Sequence, residues 1–588
     1  MSSALSQAEI TLQRALGLLA SLRSLGLGRI VLCPGSRSAP LAVAAALLEG
    51  AELELLTAID ERSAAFFALA LGRADGVPAA VICTSGTAVA NLLPAAVEAD
   101  FGAIPLLLIS ADRPARLKAC GANQTVNQET FLATSCRWLG QADPAGLHAS
   151  SATALEQLAQ QAWRACLGSP PGPVHLNLAI EEPLHAEGAA IRALQIPPAA
   201  TAPPLAQAGP ESGSATLDPG RPALVVAGPW RGAASQWQAY AGALARLQRA
   251  TGWPLLADQL SGLRGLPGLA ALGGYDLILD RPPATLAPPQ VLRLGPLPAS
   301  RRLQNWLARL EGPQLLISEG EPRCLDPLGR LVRQEPAGLA AWVDGLLGES
   351  LSTPVLQPAP LALELASRWR AAEAALQAEL DRQLPGHGRL NEPALARWLS
   401  RWLPAGLPLM LANSSPVRDW ESFADPQAPA RPVYGFRGAS GIDGTLSQAC
   451  GLAHALGGAV LVSGDLALLH DSNGWLWQRQ LRGRLTVLLI DNAGGGIFEQ
   501  LPIRPQPQSA FDFERLFAMP QAPDPLQLAA CHGVPGRRLL ALEQLPAALA
   551  WALEQPLALL QLCTDRRLDA RWRQQLRRRM PMPTAPSR

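Results

Sequence analysis

Two short turns carry the strongest chemical signal in the chain. Gly464-Asp465-Leu466 follows the apolar run 459–463, and Asp491-Asn492-Ala493-Gly494-Gly495-Gly496 follows the apolar run 485–490. Asp465 and Asn492 are 27 residues apart (492 − 465), with a helical stretch containing Asp471 and Asn473 and then a strand between them. A carboxylate, an amide and a backbone carbonyl are the hard oxygen donors that a small divalent cation takes, and such a cation also holds phosphate oxygens. Glycines let the backbone approach closely, and a helix N-terminus offers amide donors to phosphate. On this reading Asp465, Asn492 and the carbonyl of Gly494 are metal ligands beside a diphosphate.

The elements that must position these turns are legible as apolar runs. In the first third of the chain, runs 29–33, 79–83, 105–109 and 173–177 alternate with helical patterns, which predicts a parallel sheet covered on both faces. Residues 53–60 read as a further strand, with Glu61 opening the helix after it. Residues 186–220 are rich in Pro, Ala and Gly and read as a linker. A second α/β block runs from 222 to about 348 with strands at 222–228, 291–294 and 314–318, and a Pro-rich join follows at 353–360. In the third block 407–412, 459–463 and 485–490 are the central strands. Strands of a parallel sheet would bring both turns to the carboxyl edge, where such sheets bind ligands.

Composition narrows the class. A chain of 588 residues accommodates several domains, and 48% hydrophobic with 16% charged residues is a globular balance. A net charge of +1 gives no global attraction to nucleic acid or an anionic membrane, so an anionic ligand must be met by local arginines. Nine cysteines form no Cys-x-x-Cys pair, which argues against zinc and a disulfide scaffold and for reduced, mostly buried thiols in a cytoplasmic protein. Ile10, Leu12, Leu16, Leu19 and Leu22 read as an amphipathic helix rather than a signal segment. The uncharged run 77–97 contains Gly86, Asn91 and Pro94 and reads as strand, loop and helix rather than a membrane span. The arginine-rich tail 566–588 reads as a solvated helix with a frayed end.

Gly-Asp, a spacer of this size and then Asn resembles the metal and diphosphate signature of thiamine-diphosphate enzymes. Those enzymes need a carboxylate against the aminopyrimidine ring. A first-turn glutamate alone merely complements a helix dipole, but beside such a signature Glu61 becomes the candidate catalytic residue. Its hydrogen bond to the pyrimidine N1′ would favour the imino tautomer that deprotonates the thiazolium C2.

Further motifs narrow the resemblance. They are Cys33-Pro-Gly-Ser-Arg-Ser-Ala-Pro40, Thr84-Ser-Gly-Thr-Ala-Val-Ala-Asn91, Ala111-Asp-Arg-Pro114, Cys120-Gly-Ala-Asn-Gln124, Asn413-Ser-Ser-Pro-Val-Arg418, Arg437-Gly-Ala-Ser-Gly-Ile-Asp-Gly444 and Gly496-Ile-Phe498. Through them the first and third blocks resemble the 2-succinyl-5-enolpyruvyl-6-hydroxy-3-cyclohexene-1-carboxylate synthases of menaquinone and phylloquinone biosynthesis. The middle block resembles them only weakly, mainly through Arg301-Arg302-Leu303.

The resemblance implies an α/β protein of three domains, each with a central parallel sheet flanked by helices. They would be a pyrimidine-binding domain 1–185 with Glu61, the linker 186–220, a middle domain 221–350, and a diphosphate- and metal-binding domain 360–588. It implies thiamine diphosphate with Mg²⁺ or Mn²⁺, decarboxylation of 2-oxoglutarate, and conjugate addition of the resulting succinyl-semialdehyde carbanion to isochorismate. Ser85, Gly86, Thr87, Asn91, Gln124, Ser414, Ser440, Gly441, Ile442, Gly464, Asp465, Leu466, Asn492, Gly494, Gly495 and Ile497 would contact the cofactor. Ser36, Arg37, Arg113, Asn123, Gln124, Arg301, Ser414, Arg418, Arg437, Ile497 and Phe498 would contact substrate. Guanidinium groups bind carboxylates bidentately, and both substrates are multiply anionic.

Leu466 stands where the signature usually has a third glycine, Ala493 replaces an Asn, and Ala467 replaces a Ser or Thr. Arg301 occupies a position where a relative carries Lys. The resemblance also implies a homodimer or homotetramer with active sites at the subunit interface, small-molecule substrates only, and no nucleic acid or membrane partner. An acetolactate-synthase-like carboligase is the second reading, but small monoanionic substrates do not need the four loop arginines Arg37, Arg113, Arg418 and Arg437. A catalytically silent homologue would not need Glu61, Asp465 and Asn492 together, and no P-loop is present.

Overall fold

The continuous apolar runs become strands buried on both faces. The computed structural model describes residues 5–194, 217–347, 357–504 and 511–579, and it contains three six-stranded sheets, all of whose strand pairs are parallel. The first holds β1 (Arg29–Leu32), β2 (Glu54–Thr57), β3 (Ala79–Cys83), β4 (Leu106–Asp112), β5 (Leu139–Gln141) and β6 (Pro173–Ala179) in the order β2-β1-β3-β4-β6-β5. The second holds β7 (Leu224–Ala227), β8 (Leu255–Ala257), β9 (Ala271–Leu272), β10 (Val291–Leu294), β11 (Gln314–Ile317) and β12 (Leu331–Glu335) in the order β12-β11-β10-β7-β8-β9. The third holds β13 (Leu409–Leu411), β14 (Val433–Tyr434), β15 (Gly458–Gly464), β16 (Arg484–Asp491), β17 (Gly536–Leu539) and β18 (Leu557–Cys563) in the order β14-β13-β15-β16-β18-β17. Renumbered from its own first strand, the third order is identical to that of the first.

The chain divides into two compact units, one of residues 1–208, 436–457 and 470–483 and one of the remainder. The first sheet lies in the first unit. Its two late segments belong there because helix Thr445–Leu456 packs along helix Glu61–Asp75. The contact is close enough to require glycine: a Cβ on Gly451 would lie 2.5 Å from the Phe67 carbonyl oxygen and 2.8 Å from Ala70 Cβ. Ser63 and Ser447 hydroxyls meet at 2.7 Å, and the Trp477 indole stacks on Phe67 at 4.0 Å while donating to Ser63 Oγ at 2.9 Å. The helix that Glu61 opens is therefore fixed along its length. Asp60 caps it by accepting from Arg62 and Ser63 N–H, and Gly76 ends it in the left-handed conformation.

Most expectations for elements hold: β3 and β10 match their apolar runs, β4, β6, β15 and β16 extend beyond them, and β1, β2, β7, β11 and β13 are shorter. Helix Gln7–Leu25 buries Leu12, Leu16, Leu19 and Leu22 as its pattern required. The tail is a correction. Helix Arg566–Arg579 is not solvated all round, since Arg566, Asp569, Ala570, Arg573 and Leu576 are buried; an arginine-rich composition hides which charges find internal partners. The linker reading falls mostly on residues outside those described, and its described start forms a short helix, Gly188–Ala193. All nine cysteines are free, but only Cys33, Cys83, Cys166 and Cys450 are buried and Cys120, Cys324 and Cys531 are exposed. Among the described residues no helix is long and apolar enough to cross a membrane.

Candidate functional site

In the second unit, β15 and β16 pair in register from Gly458 opposite Arg484 to Gly464 opposite Ile490. The turn after each strand therefore emerges at the same edge. The backbone N–H of Gly494 donates to Asp465 Oδ2 at 2.6 Å, and the N–H of Leu466 donates to Oδ1 at 2.9 Å. Burial pushes the Asp465 carboxyl up to about 6; the Gly494 amide opposes that shift and the charge of Asp491 adds to it. Gly494 sits at φ +117°, and a Cβ there would lie 2.0 Å from the Ala518 carbonyl oxygen, so no other residue fits this turn.

Asn492 is 7% exposed. Its Nδ2 donates to Glu392 Oε1 at 2.6 Å, and its Oδ1 is buried with no hydrogen-bond partner. Buried amide oxygens are rarely left without a partner, and this one is free to accept a ligand. The loop is held from outside by Arg566, which donates to the Ala493 carbonyl at 2.8 Å, pairs with Glu499 at 3.2 Å and also bonds Glu514. Among the described residues no three His, Cys, Asp or Glu side chains surround a common metal position. The turn instead brings the Gly494 N–H onto the Asp465 carboxylate, with the Asn492 amide two residues before it and the Gly494 carbonyl accepting from the Gly496 N–H at 2.8 Å.

Other expected residues in this unit follow β13. Ser414 adopts φ +73°, a costly conformation for serine, and its carbonyl accepts from the exposed Arg418 at 2.5 Å. Ile497 and Phe498 are half-buried, and the Phe498 ring packs against Phe517 at 5.5 Å. Arg301 is exposed and reaches Gln304 at 3.4 Å, whereas its neighbour Arg302 is committed to Asp276 and Asp280 at 2.7 and 2.9 Å. Ser300, which caps the Arg301 helix, bonds Glu421 through its N–H at 3.3 Å and Asp276 through its hydroxyl at 2.6 Å. That ties the Arg301 helix to helix Ser415–Phe423, which carries Arg418.

In the first unit, Leu32 of β1 lies opposite Thr57 of β2 and Ile82 of β3, so the following loops share one edge. Glu61 follows β2, and its charge pushes up the thiols of Cys33 and Cys83, after burial has already raised them. Arg37 is buried and donates to the Ile180 carbonyl and to Glu182, both at 2.9 Å. Arg113 bonds the Ser85 hydroxyl, and Gln124 Nε2 donates to the Ser85 carbonyl at 2.8 Å. Burial, and next the nearby charge of Arg37, hold the Arg113 guanidinium below its ordinary value. Ser85, Gly86, Arg37, Arg113 and Gln124 thus form one cluster. Asn91 turns back on its own helix, its Nδ2 donating to the Thr87 carbonyl at 3.0 Å, and Asn123 is exposed.

The loop with Arg437, Ser440, Gly441 and Ile442 is seated by a residue that the sequence pattern does not single out. The Glu98 carboxylate accepts the N–H groups of Gly438, Ala439 and Ser440 at 2.6, 2.8 and 3.1 Å. Ser440 is at φ +63°, and Ile442 stands 39% exposed. Gln128 is a second such residue: it accepts the Gly86 N–H at 2.9 Å and donates to the Ala111 carbonyl and Asn177 at 2.9 and 2.8 Å. A lone Glu inside an apolar helix is the available signal for Glu98; nothing local marks Gln128.

Two segments of the chain match known domains. Residues 15–131 match the thiamine pyrophosphate enzyme N-terminal TPP binding domain, and residues 425–561 match the thiamine pyrophosphate enzyme C-terminal TPP binding domain. With three parallel sheets, these matches make the chain a thiamine-diphosphate enzyme. Over 573 residues it is 56% identical to the 2-succinyl-5-enolpyruvyl-6-hydroxy-3-cyclohexene-1-carboxylate synthase of Synechococcus sp. (strain RCC307), covering 97% of this chain and 98% of that one. The synthases of the same name from Parasynechococcus marenigrum (strain WH8102) and Prochlorococcus marinus (strain MIT 9313) are 56% and 51% identical, over 93% and 95% of this chain and 98% of each relative. The chain belongs to the 2-succinyl-5-enolpyruvyl-6-hydroxy-3-cyclohexene-1-carboxylate synthase family.

Proposed function

We propose that the chain decarboxylates 2-oxoglutarate and joins the remaining four-carbon unit in conjugate fashion to isochorismate, releasing CO₂, in menaquinone or phylloquinone biosynthesis. The observation that carries the substrate reading is the Arg37–Arg113 pair at the Glu61 edge. Arg37 and Arg113 stand in the loops after β1 and β4 with Ser85 and Gln124, in the unit that carries Glu61, and planar guanidinium groups bind carboxylates bidentately.

Thiamine diphosphate, when bound, supplies the carbanion chemistry for decarboxylation and carbon–carbon bond formation. Glu61 holds the proton at the pyrimidine N1′, with Ser85, Gly86, Thr87, Asn91, Gln124, Ser440, Gly441 and Ile442 around the rings. A divalent cation, Mg²⁺ or Mn²⁺, fits the orphaned Asn492 Oδ1 together with Asp465 and the Gly494 carbonyl, because all three are hard oxygen donors. Gly464, Leu466, Gly495 and Ile497 line the diphosphate end, where Ala467 leaves one hydroxyl contact unmade. Ser36, Asn123, Arg301, Ser414, Arg418, Arg437 and Phe498 complete the substrate side. Domains 1–185, 221–350 and 360–588, a homodimer or homotetramer with active sites at the subunit interface, and a cytoplasmic location are parts of the same proposal.

The test incubates purified protein with thiamine diphosphate, Mg²⁺, 2-oxoglutarate and isochorismate. Adduct formation that depends on all four is expected. CO₂ release from pyruvate without use of isochorismate would overturn the substrate reading, and an active monomer on size exclusion would overturn the assembly.

A further inference from the structure

Asn492 lies against a buried set of ionisable groups, Glu392, Arg573, Asp419 and Asp569. Glu392 opens helix Glu392–Trp402 and is 1% exposed. Its Oε1 accepts Asn492 Nδ2 at 2.6 Å, and its Oε2 accepts Arg573 at 2.6 Å. The same guanidinium nitrogen reaches both Asp419 oxygens at 2.7 and 2.6 Å, and the Glu392 N–H donates to Asp569 at 3.1 Å. The Arg573 guanidinium occupies Glu392 Oε2, which leaves Oε1 as the acceptor that faces the Asn492 amide.

An amide can present either its oxygen or its nitrogen, and only one of these can ligate a cation. Turning the Asn492 amide over would set oxygen against a buried carboxylate oxygen at 2.6 Å, which is strongly unfavourable where water cannot intervene. The amide packs closely over Gly496, where a Cβ would lie 2.5 Å from Asn492 Nδ2, so glycine is required beneath it. We propose that Glu392, braced by Arg573 of the C-terminal helix, is a positioning residue that fixes the Asn492 amide with Oδ1 toward the cation. The inference rests on Asn492 being a metal ligand. It also accounts for the buried face of the arginine-rich C-terminal helix, which braces Asn492 through Arg573 and holds the next carbonyl in the turn through Arg566.

The test is Mn²⁺ titration in the presence of thiamine diphosphate, read by the resonance signal of free Mn²⁺ without turnover. Glu392→Gln lets the amide settle either way and is expected to weaken Mn²⁺ by about 10- to 100-fold, the usual effect of removing a ligand's hydrogen-bond partner. Glu392→Gln with Asn492→Asp reverses the bond, since Gln now donates to one Asp oxygen and leaves the other for the metal; most of the affinity should return. A merely structural role predicts no such rescue. Wild-type Mn²⁺ affinity in Glu392→Gln, with Asp465→Ala impaired, would overturn the positioning role alone. Wild-type affinity in both would overturn the metal site itself and the inference with it. Should Glu392→Gln fail to fold, Asn492→Asp alone must bind Mn²⁺ more weakly than the double variant, and equal affinities would refute the role.

Discussion

The first and third sheets share one strand order but carry different chemistry at equivalent loops. After its first four strands the first sheet presents Ser36 and Arg37, Glu61, Ser85 and Gly86, and Arg113. At the places after its first, third and fourth strands the third presents Ser414 and Arg418, Gly464 to Leu466, and Asn492 to Gly494, whereas the 437–442 loop that follows β14 belongs to the first unit. What lies beneath the loops differs more. The Asp465–Asn492 turn is braced by Glu392 and Arg573, and it holds the Asp465 carboxylate on a backbone amide and the Asn492 amide on a carboxylate. The Arg37–Arg113 cluster is tied by single bonds to Ser85, Glu182 and a carbonyl, and Gln124 and Asn123 beside it are exposed. On the proposed assignment, a cofactor that stays in place suits a seat built in advance, whereas substrates that arrive and leave suit side chains able to adjust.

The sharpest way to separate the two is to remove proton chemistry without touching the seat. Glu61→Gln is expected to lower turnover by about 10²- to 10⁴-fold, the range of positioned acid–base groups. Calorimetry should find thiamine diphosphate affinity little changed, because Glu61 belongs to the other sheet's edge. Near-normal turnover would break the assignment. Asp465→Ala should do the reverse, costing on the order of 10²-fold in Mn²⁺ affinity, at least what a ligand's partner costs. Excess metal should then restore much of the activity, which it cannot do for Glu61→Gln.

How much of this is readable in the sequence depends on whether a signal is local. The strands are legible because apolar runs such as 106–109 must be covered on both faces, and the Asp465 and Asn492 turns because glycine, acid and amide occur at fixed offsets. β12, with its Leu-Val-Arg-Gln-Glu sequence, and the two-residue β9 and β14 are not legible, since neither pattern nor length distinguishes them from loop. Glu98, Gln128 and Glu392 escape notice for a different reason. Each acts on a backbone amide or side chain far along the chain, Glu98 on residues 340 to 342 positions away, and no periodicity encodes such a partner. The buried face of the arginine-rich helix stays hidden for the same reason.

A smaller effect probes the adjustable half. Arg113→Lys keeps the charge but loses the planar fork, so it should raise KM for the anionic substrates by roughly tenfold, the worth of one charge-assisted bond. Metal affinity should not move. A change in Mn²⁺ binding would mean that the two halves are less independent than their separate bracing implies.

The least visible difference at neutral pH is in how each half carries protons. Ser110 gives its hydroxyl proton to Asn177 Oδ1 at 2.8 Å, so at 2.7 Å it must accept from His175 Nε2, which leaves Nδ1 bare, buried and without a partner. A second proton would be a buried charge with nothing to bond, and burial accordingly lowers His175 to about 4 from 6.5. The unfolded chain takes up that proton first. Stability from His175 is therefore complete above pH 6.5 and is lost as pH falls through 4, by on the order of 3 kcal/mol in all. Asp465 runs the other way, because burial raises it to about 6 from 3.8. In metal-free protein its contribution is complete below 3.8 and is lost as pH rises through 6, until a cation replaces the proton. Hydrogen exchange in metal-free protein should thus show β4 and β6 loosening between pH 6.5 and 4, while the 465–494 turn tightens over the same range. His175→Gln, which can still donate to Ser110, should abolish the first trend and leave the second. Parallel loosening of both regions would mean that a single global transition, rather than these two buried groups, sets the acid response.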